Sequence, residues 1–153
     1  MSELRFTPAG AAASGLIEET FRLNGRLLAA GDALVGEMGI TCARWQVLGA
    51  IAQAPDAEPV ARLARRIGLS RQNVQRIVNE LVTDRLIRLE DNPHHKRAKL
   101  VALTSRGRRV HEEAERRQIH WVNVLVTGLT ADQINLALHV LRTLRTRLET
   151  ESA

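Results

Sequence analysis

The stretch Val60-Ala61-Arg62-Leu63-Ala64-Arg65-Arg66-Ile67-Gly68-Leu69-Ser70-Arg71-Gln72-Asn73-Val74-Gln75-Arg76-Ile77-Val78 decides the fold. Val60, Leu63, Ala64 and Ile67 recur at helical spacing and form one apolar face of a two-turn helix, with Pro59 suited to its first turn and Gly68 to its end. Ser70 caps a second helix in which Val74, Ile77, Val78 and Leu81 point inward. Arg71, Gln72, Gln75, Arg76 and Asn79 lie off that stripe, so the outer face is polar and can form hydrogen bonds. Two short helices joined by a glycine turn follow the grammar of a helix-turn-helix, whose second helix enters the major groove of DNA. In such a groove arginine bonds guanine bidentately, while asparagine and glutamine suit adenine.

Upstream, Ile17, Phe21, Leu28, Val35 and Met38, with Leu27 and Leu34 beside them, recur at spacings of three, four or seven, which predicts a long amphipathic helix ended by Gly39. Thr41 caps the next helix, which carries Trp45, Leu48 and Ile51 and stops before Pro55. Downstream of Arg85 the period changes. Residues 86–90 and 98–103 read as strands, and Asp91-Asn92-Pro93-His94-His95-Lys96-Arg97 between them reads as the long basic tip of a β-hairpin. Thr104 starts a helix bearing Val110, Ala114, Trp121, Val124 and Leu125, which Gly128 breaks. Thr130 and Gln133 form a capping box for the last helix, whose face is Ile134, Leu138, Leu141, Leu144 and Leu148. The expected architecture is mainly α: a winged helix-turn-helix with a two-stranded β wing and helical dimerisation elements from both chain ends.

The charge is segregated along the 153 residues. Residues 1–58 carry 4 Lys and Arg against 7 Asp and Glu, residues 59–110 carry 13 against 4, and residues 111–153 carry 5 against 6. A basic middle third in a chain that is otherwise slightly acidic is the electrostatic footprint of a nucleic-acid contact surface, although a solvated helix face produces a similar run. Cys42 is the one cysteine, which excludes an internal disulfide framework and fits a reducing compartment. The longest stretch free of Asp, Glu, Lys and Arg runs from Gln118 to Ala131, too short and too polar to span a membrane. Glu3 and Arg5 precede a small-residue stretch that lacks the leucine-rich run of a signal peptide.

The helix-turn-helix, the basic hairpin after it, the long first helix, Thr41-x-x-x-Trp45-x-Val47-Leu48, and Leu103-Thr104-x-x-Gly107-Arg108 together resemble the MarR family of bacterial transcriptional regulators. The resemblance covers nearly the whole chain and implies a single domain over 1–153. Within it, 11–39 and 104–150 would form a helical dimerisation region and 41–103 the winged helix-turn-helix unit. It implies a cytoplasmic homodimer, usually a repressor, that binds a palindromic operator on double-stranded DNA and is often released by a small aromatic or phenolic effector. DNA contacts would fall on Ser70, Arg71, Gln72, Asn73, Gln75 and Arg76, with Lys96 or Arg97 of the wing in the minor groove. His94 and His95 beside Lys96 would add positive charge when protonated and tighten DNA binding at lower pH. An effector crevice would draw on Arg22, Arg44, Trp45 and Trp121, although both tryptophans are equally core anchors in a chain with only four aromatic residues.

Two departures from the family pattern stand out. Members commonly carry glycine just before the first wing strand, where this chain has Asp84-Arg85-Leu86, so a left-handed turn there would be strained or differently built. Many also carry an acidic residue two positions before the last wing arginine, where this chain has His95.

Other chemistry finds less support. Cys42 near a helix N-terminus reads as a structural thiol before a redox one. His111, Glu115 and His120 do not make a metal-ligand set, and no cofactor motif is present. There is no phosphate-cradling glycine loop, GxSxG turn or acid, base and nucleophile constellation, so the chain does not read as an enzyme. The alternative from another class is a winged-helix protein-interaction module. Gln72, Asn73 and Gln75 beside arginines suit base edges better than the aromatic or aliphatic anchors of a protein interface.

Overall fold

Capping residues set the helix boundaries. Thr7 accepts the Gly10 N–H at 3.0 Å and Pro8 occupies the first turn, so α1 runs Pro8–Val35. A 3-10 turn, Gly36–Met38, and Gly39 at φ 73° close it. Thr41 accepts the Arg44 N–H at 3.3 Å and Asp32 accepts the Cys42 N–H at 2.7 Å, and both groups serve the start of α2, Cys42–Gln53. Then follow α3, Val60–Ile67, and α4, Arg71–Thr83. Further on come α5, Ser105–Leu125, and α6, Ala131–Glu151, the last started by the reciprocal Thr130–Gln133 capping box. The structure, a computed structural model, describes residues 5–151; Glu3 and both extremes of the expected 1–153 domain lie outside the described residues.

The expected two-stranded wing is present with one addition. Strands β2, Ile87–Glu90, and β3, Leu100–Leu103, pair antiparallel with Leu89 opposite Val101. A third strand of only two residues, β1, Glu58–Pro59, pairs along the other edge of β3, giving the order β1-β3-β2. Two residues cannot display a period, which is why the sequence pattern reads them as loop and helix start. Pro59 sits at a sheet edge, where its missing N–H costs no ladder bond.

The chain divides into two compact units, residues 1–117 and 118–153, with the boundary inside α5. In the first, Leu48, Leu63, Ile77, Leu81 and Ile87 are fully buried together with Val35, Val47, Val74, Val78 and Val101. Ala114 of α5 joins the same core. Arg117 pins α5 to the end of α1, donating to the Leu34 carbonyl at 3.2 Å and pairing with Glu37 at 3.3 Å and Glu113 at 3.0 Å. The Arg116 and Arg117 hydrogen bonds hold the Glu113 carboxyl below its ordinary range, and the bond to Glu113 raises Arg117 in turn. In the second unit no residue of α6 is buried.

Candidate nucleic-acid interface

The interface is built on α4, and the turn before it aims the helix. Gly68 takes φ 70°, with the Gly68 and Leu69 N–H groups closing back on the carbonyls of Arg65 and Ala64. Ser70 accepts the Asn73 N–H at 3.2 Å and starts α4. Val74, Ile77, Val78 and Leu81 are buried as their spacing requires, which turns the opposite side of the helix outward. Arg71, Gln72, Gln75, Arg76 and Asn79 line a shallow concavity on that side. Among the described residues the side chains of Arg71 and Gln72 find no hydrogen-bond or ion-pair partner, whereas Gln75 donates to Asn79 at 2.9 Å.

The wing lies against the start of this helix. A groove lined by Arg71 and Gln75 from α4, Leu89 from β2, and Arg97 and Lys99 from the wing joins the two elements into one basic surface. Lys99 was not among the expected contacts. It forms an ion pair with Asp91 across the wing, and its hydrogen bond holds the Asp91 carboxyl below the ordinary aspartate range. Only the +9 charge of residues 59–110 pointed toward Lys99 in the sequence. At the tip the His94 N–H bonds the Asn92 side chain at 3.0 Å, an Asx turn that leaves the exposed side chains of His94, His95, Lys96 and Arg97 facing outward.

The wing base is fixed by the Leu103-Thr104-x-x-Gly107 segment. The Thr104 hydroxyl donates to the Arg85 carbonyl at 2.8 Å and accepts the Gly107 N–H at 3.0 Å, while the Thr104 N–H bonds the Leu86 carbonyl at 3.1 Å. A Cβ on Gly107 would lie 1.9 Å from the Leu86 oxygen, so glycine is what allows α5 to start against the wing. Arg85 has φ 58°, so the turn into the wing is left-handed and built on a residue with a Cβ.

Arg44 forms an ion pair with Asp84 at the end of α4, and its Nε is buried without a partner. Trp45 packs against the core, which favours its role as an anchor. Arg22 is exposed on α1 and pairs with Glu18 and Glu19. Trp121 is half-buried and belongs to the second unit. A cleft between α1, α2 and α4 is lined by Asp32, Cys42, Arg44, Arg76 and Glu80. Cys42 is buried, and Gly31 leaves room for its sulfur, which a Cβ there would approach to 2.4 Å. His111 is buried beside Gly49, with Nε2 3.9 Å from Glu115. No group of three metal-ligating side chains occurs among the described residues, and no helix among them is long and apolar enough to cross a membrane.

The family model described as the MarR family matches residues 38–98. Rv2011c of Mycobacterium tuberculosis, an uncharacterized protein, is 37% identical over 122 residues, 80% of each chain. Sco5413 of Streptomyces coelicolor, a MarR family transcriptional regulator, matches at TM-score 0.77 and 25% identity, over 92% of this chain and 98% of its own. The Staphylococcus aureus MarR solved in complex with salicylate and kanamycin matches at TM-score 0.75 and 17% identity, over 92% and 95%.

Proposed function

This chain belongs to the MarR family of winged-helix transcription regulators, and from that premise we propose that it represses transcription by binding a palindromic operator as a homodimer. Members of the family are DNA-binding regulators and not enzymes. The observation that carries the proposal is the continuity of the outer face of α4 with the wing through the groove shared by Arg71, Gln75, Arg97 and Lys99. Arg71 and Gln72 reach base edges, with Asn73, Gln75 and Arg76 beside them and Ser70 at the helix start. His94, His95, Lys96 and Arg97 follow the adjacent backbone and minor groove.

A palindrome requires two copies of the reading unit, and the helices outside 41–103 supply the apolar surface for joining them. Phe21 is 74% exposed on α1, and Ile134, Leu138 and Leu141 are exposed on α6. Release by a small aromatic or phenolic compound is supported by the salicylate in the S. aureus structure and would engage Arg44 and Trp45 of the first unit. Such an anionic ligand would compete with Asp84 for Arg44.

Selection from a randomised duplex library at two salt concentrations tests the reading. The expected result is a palindrome whose half-sites lie about one helical turn apart, bound less tightly at the higher salt. Salt-sensitive binding without enrichment would reduce the surface to nonspecific attraction. No binding at all would favour the protein-interaction module.

A further inference from the structure

The outer face of α4 and the wing tip take up only part of the basic charge of residues 59–110. Five arginines, Arg85, Arg88, Arg106, Arg108 and Arg109, stand at the base of the wing and are exposed. The fold gathers them. The bond from Thr104 to the Arg85 carbonyl and the close approach of Gly107 to Leu86 lay the turn after α4 on the first turn of α5. Arg88 and Arg108 then donate to the same carbonyl, that of Leu103, at 2.7 and 3.2 Å, so two like charges are held side by side. Carboxylates answer little of this charge. Glu90 pairs with Arg88 at 2.6 Å, and Asp84, next to Arg85 in the chain, is taken by Arg44. Among the described residues the side chains of Arg85, Arg106 and Arg109 find no hydrogen-bond or ion-pair partner.

Local stability does not account for the set. The first turn of α5 has no acidic residue and carries Arg106 and Arg108 at the end of a helix where cations are disfavoured, while Arg85 fills a left-handed position that suits glycine better. No large apolar side chain is exposed among residues 84–88 and 104–110, so this surface lacks the anchors of a protein interface. What it offers is unpaired guanidinium charge, which suits a phosphate backbone. The polar concavity on α4 runs from Arg71 to Asn79, toward the end of the helix that meets the wing base. Over its 13 residues α4 spans about 20 Å, so a duplex that follows this face comes to Arg85 about six base pairs beyond Arg71. Resting on the operator reading proposed above, we propose that Arg85, Arg106 and Arg109 form a second DNA contact, which holds backbone phosphates of the duplex flanking the operator without regard to sequence.

The experiment measures binding across a salt series to the selected palindrome alone and to the same palindrome extended at each end by arbitrary sequence. The proteins are the wild type, the triple variant Arg85→Gln, Arg106→Gln, Arg109→Gln, and the double variant Arg106→Gln, Arg109→Gln, which leaves the turn at residue 85 untouched; melting midpoints are measured alongside. The wild type is expected to bind the extended duplex about tenfold more tightly, with a salt slope steeper by about two to three. The triple variant should lose this advantage and bind the bare palindrome as the wild type does, and the double variant should lose most of it. Lysine at all three positions should keep it, because a phosphate contact requires charge and not a fork. Equal binding of both duplexes by the wild type, an advantage that survives in the triple variant, an equal loss on both duplexes, or capture of a second duplex in place of the flank would each overturn the inference while leaving operator reading intact. A wild-type protein that enriches no sequence would overturn both.

Discussion

Arg85 and Gly68 occupy equivalent places in the same capping geometry. After α3 the Leu69 N–H reaches back to the Ala64 carbonyl, and after α4 the Leu86 N–H reaches back to the Leu81 carbonyl, each through a left-handed residue. Gly68 adopts that conformation freely, whereas the Arg85 Cβ crowds the following carbonyl at a cost of about 1–2 kcal/mol. Arg85→Gly removes this crowding but gives back about 0.4–1 kcal/mol through the freer unfolded chain. The expected result is a net stabilisation of about 0.5–1 kcal/mol, read as a higher urea midpoint with an unchanged slope. Gly107 shows the opposite constraint. Gly107→Ala puts a methyl group onto the Leu86 carbonyl and should destabilise by about 3 kcal/mol, at the upper end of overpacking costs. A midpoint within error of the wild type would show that α5 can shift away from the wing. The Asp84-Arg85-Leu86 departure was visible in the sequence, but whether the turn would be strained or rebuilt was not, because the answer lies in bonds to Leu81, Val82 and Thr104 that only the fold brings together.

At the scale of elements, the proposed operator contacts divide between α4 and the wing. Arg71→Ala should relax base preference at one position by about 1–3 kcal/mol, whereas Lys96→Ala should weaken all sequences alike and lower the salt slope by about one. Equal losses across sequences for both variants would make Arg71 a phosphate contact. Inside the wing, the hydrogen bond from Lys99 lowers the Asp91 pKa in the folded state. The stabilising contribution of this pair is therefore present above the ordinary aspartate range and is lost as pH falls through the lowered value. Lys99→Met should return Asp91 to the ordinary range, which a carboxyl chemical-shift titration would detect directly. The helical period was enough to place Val74, Ile77, Val78 and Leu81 inside, and so to turn Arg71, Gln72 and Gln75 outward. It could not show β1, which has two residues, or the nearness of Lys99 to Arg71, which depends on how the hairpin folds back. Nor could it show that Arg76 bonds Asn73 and Glu80, because three- and four-residue neighbours on a helix become partners only through their rotamers.

For the whole molecule, the unsolved question in one chain is where its apolar helix surface goes. In α1, Ile17, Phe21 and Leu28, with Leu27 beside them, remain exposed although their spacing is that of a buried stripe. In α6, Ile134, Leu138, Leu141 and Leu148 follow the same three-and-four pattern and are likewise exposed. A monomer rarely presents contiguous apolar surface of this kind to water, whereas a two-fold partner made from the same sequence covers it at no cost in new residues. The proposed dimer therefore predicts a sedimentation mass of two 17.0 kDa chains at micromolar concentration. Leu138→Glu combined with Leu141→Glu should shift the mass toward one chain, because a buried unpaired carboxylate costs more than the leucine contact contributes. In the same variant the residues of α3 and α4 are untouched, so half-site contacts persist while binding to the full palindrome drops toward that of a single half-site. A dimer that survives both substitutions would remove α6 from the interface and leave the α1 stripe as the surface that joins the two copies.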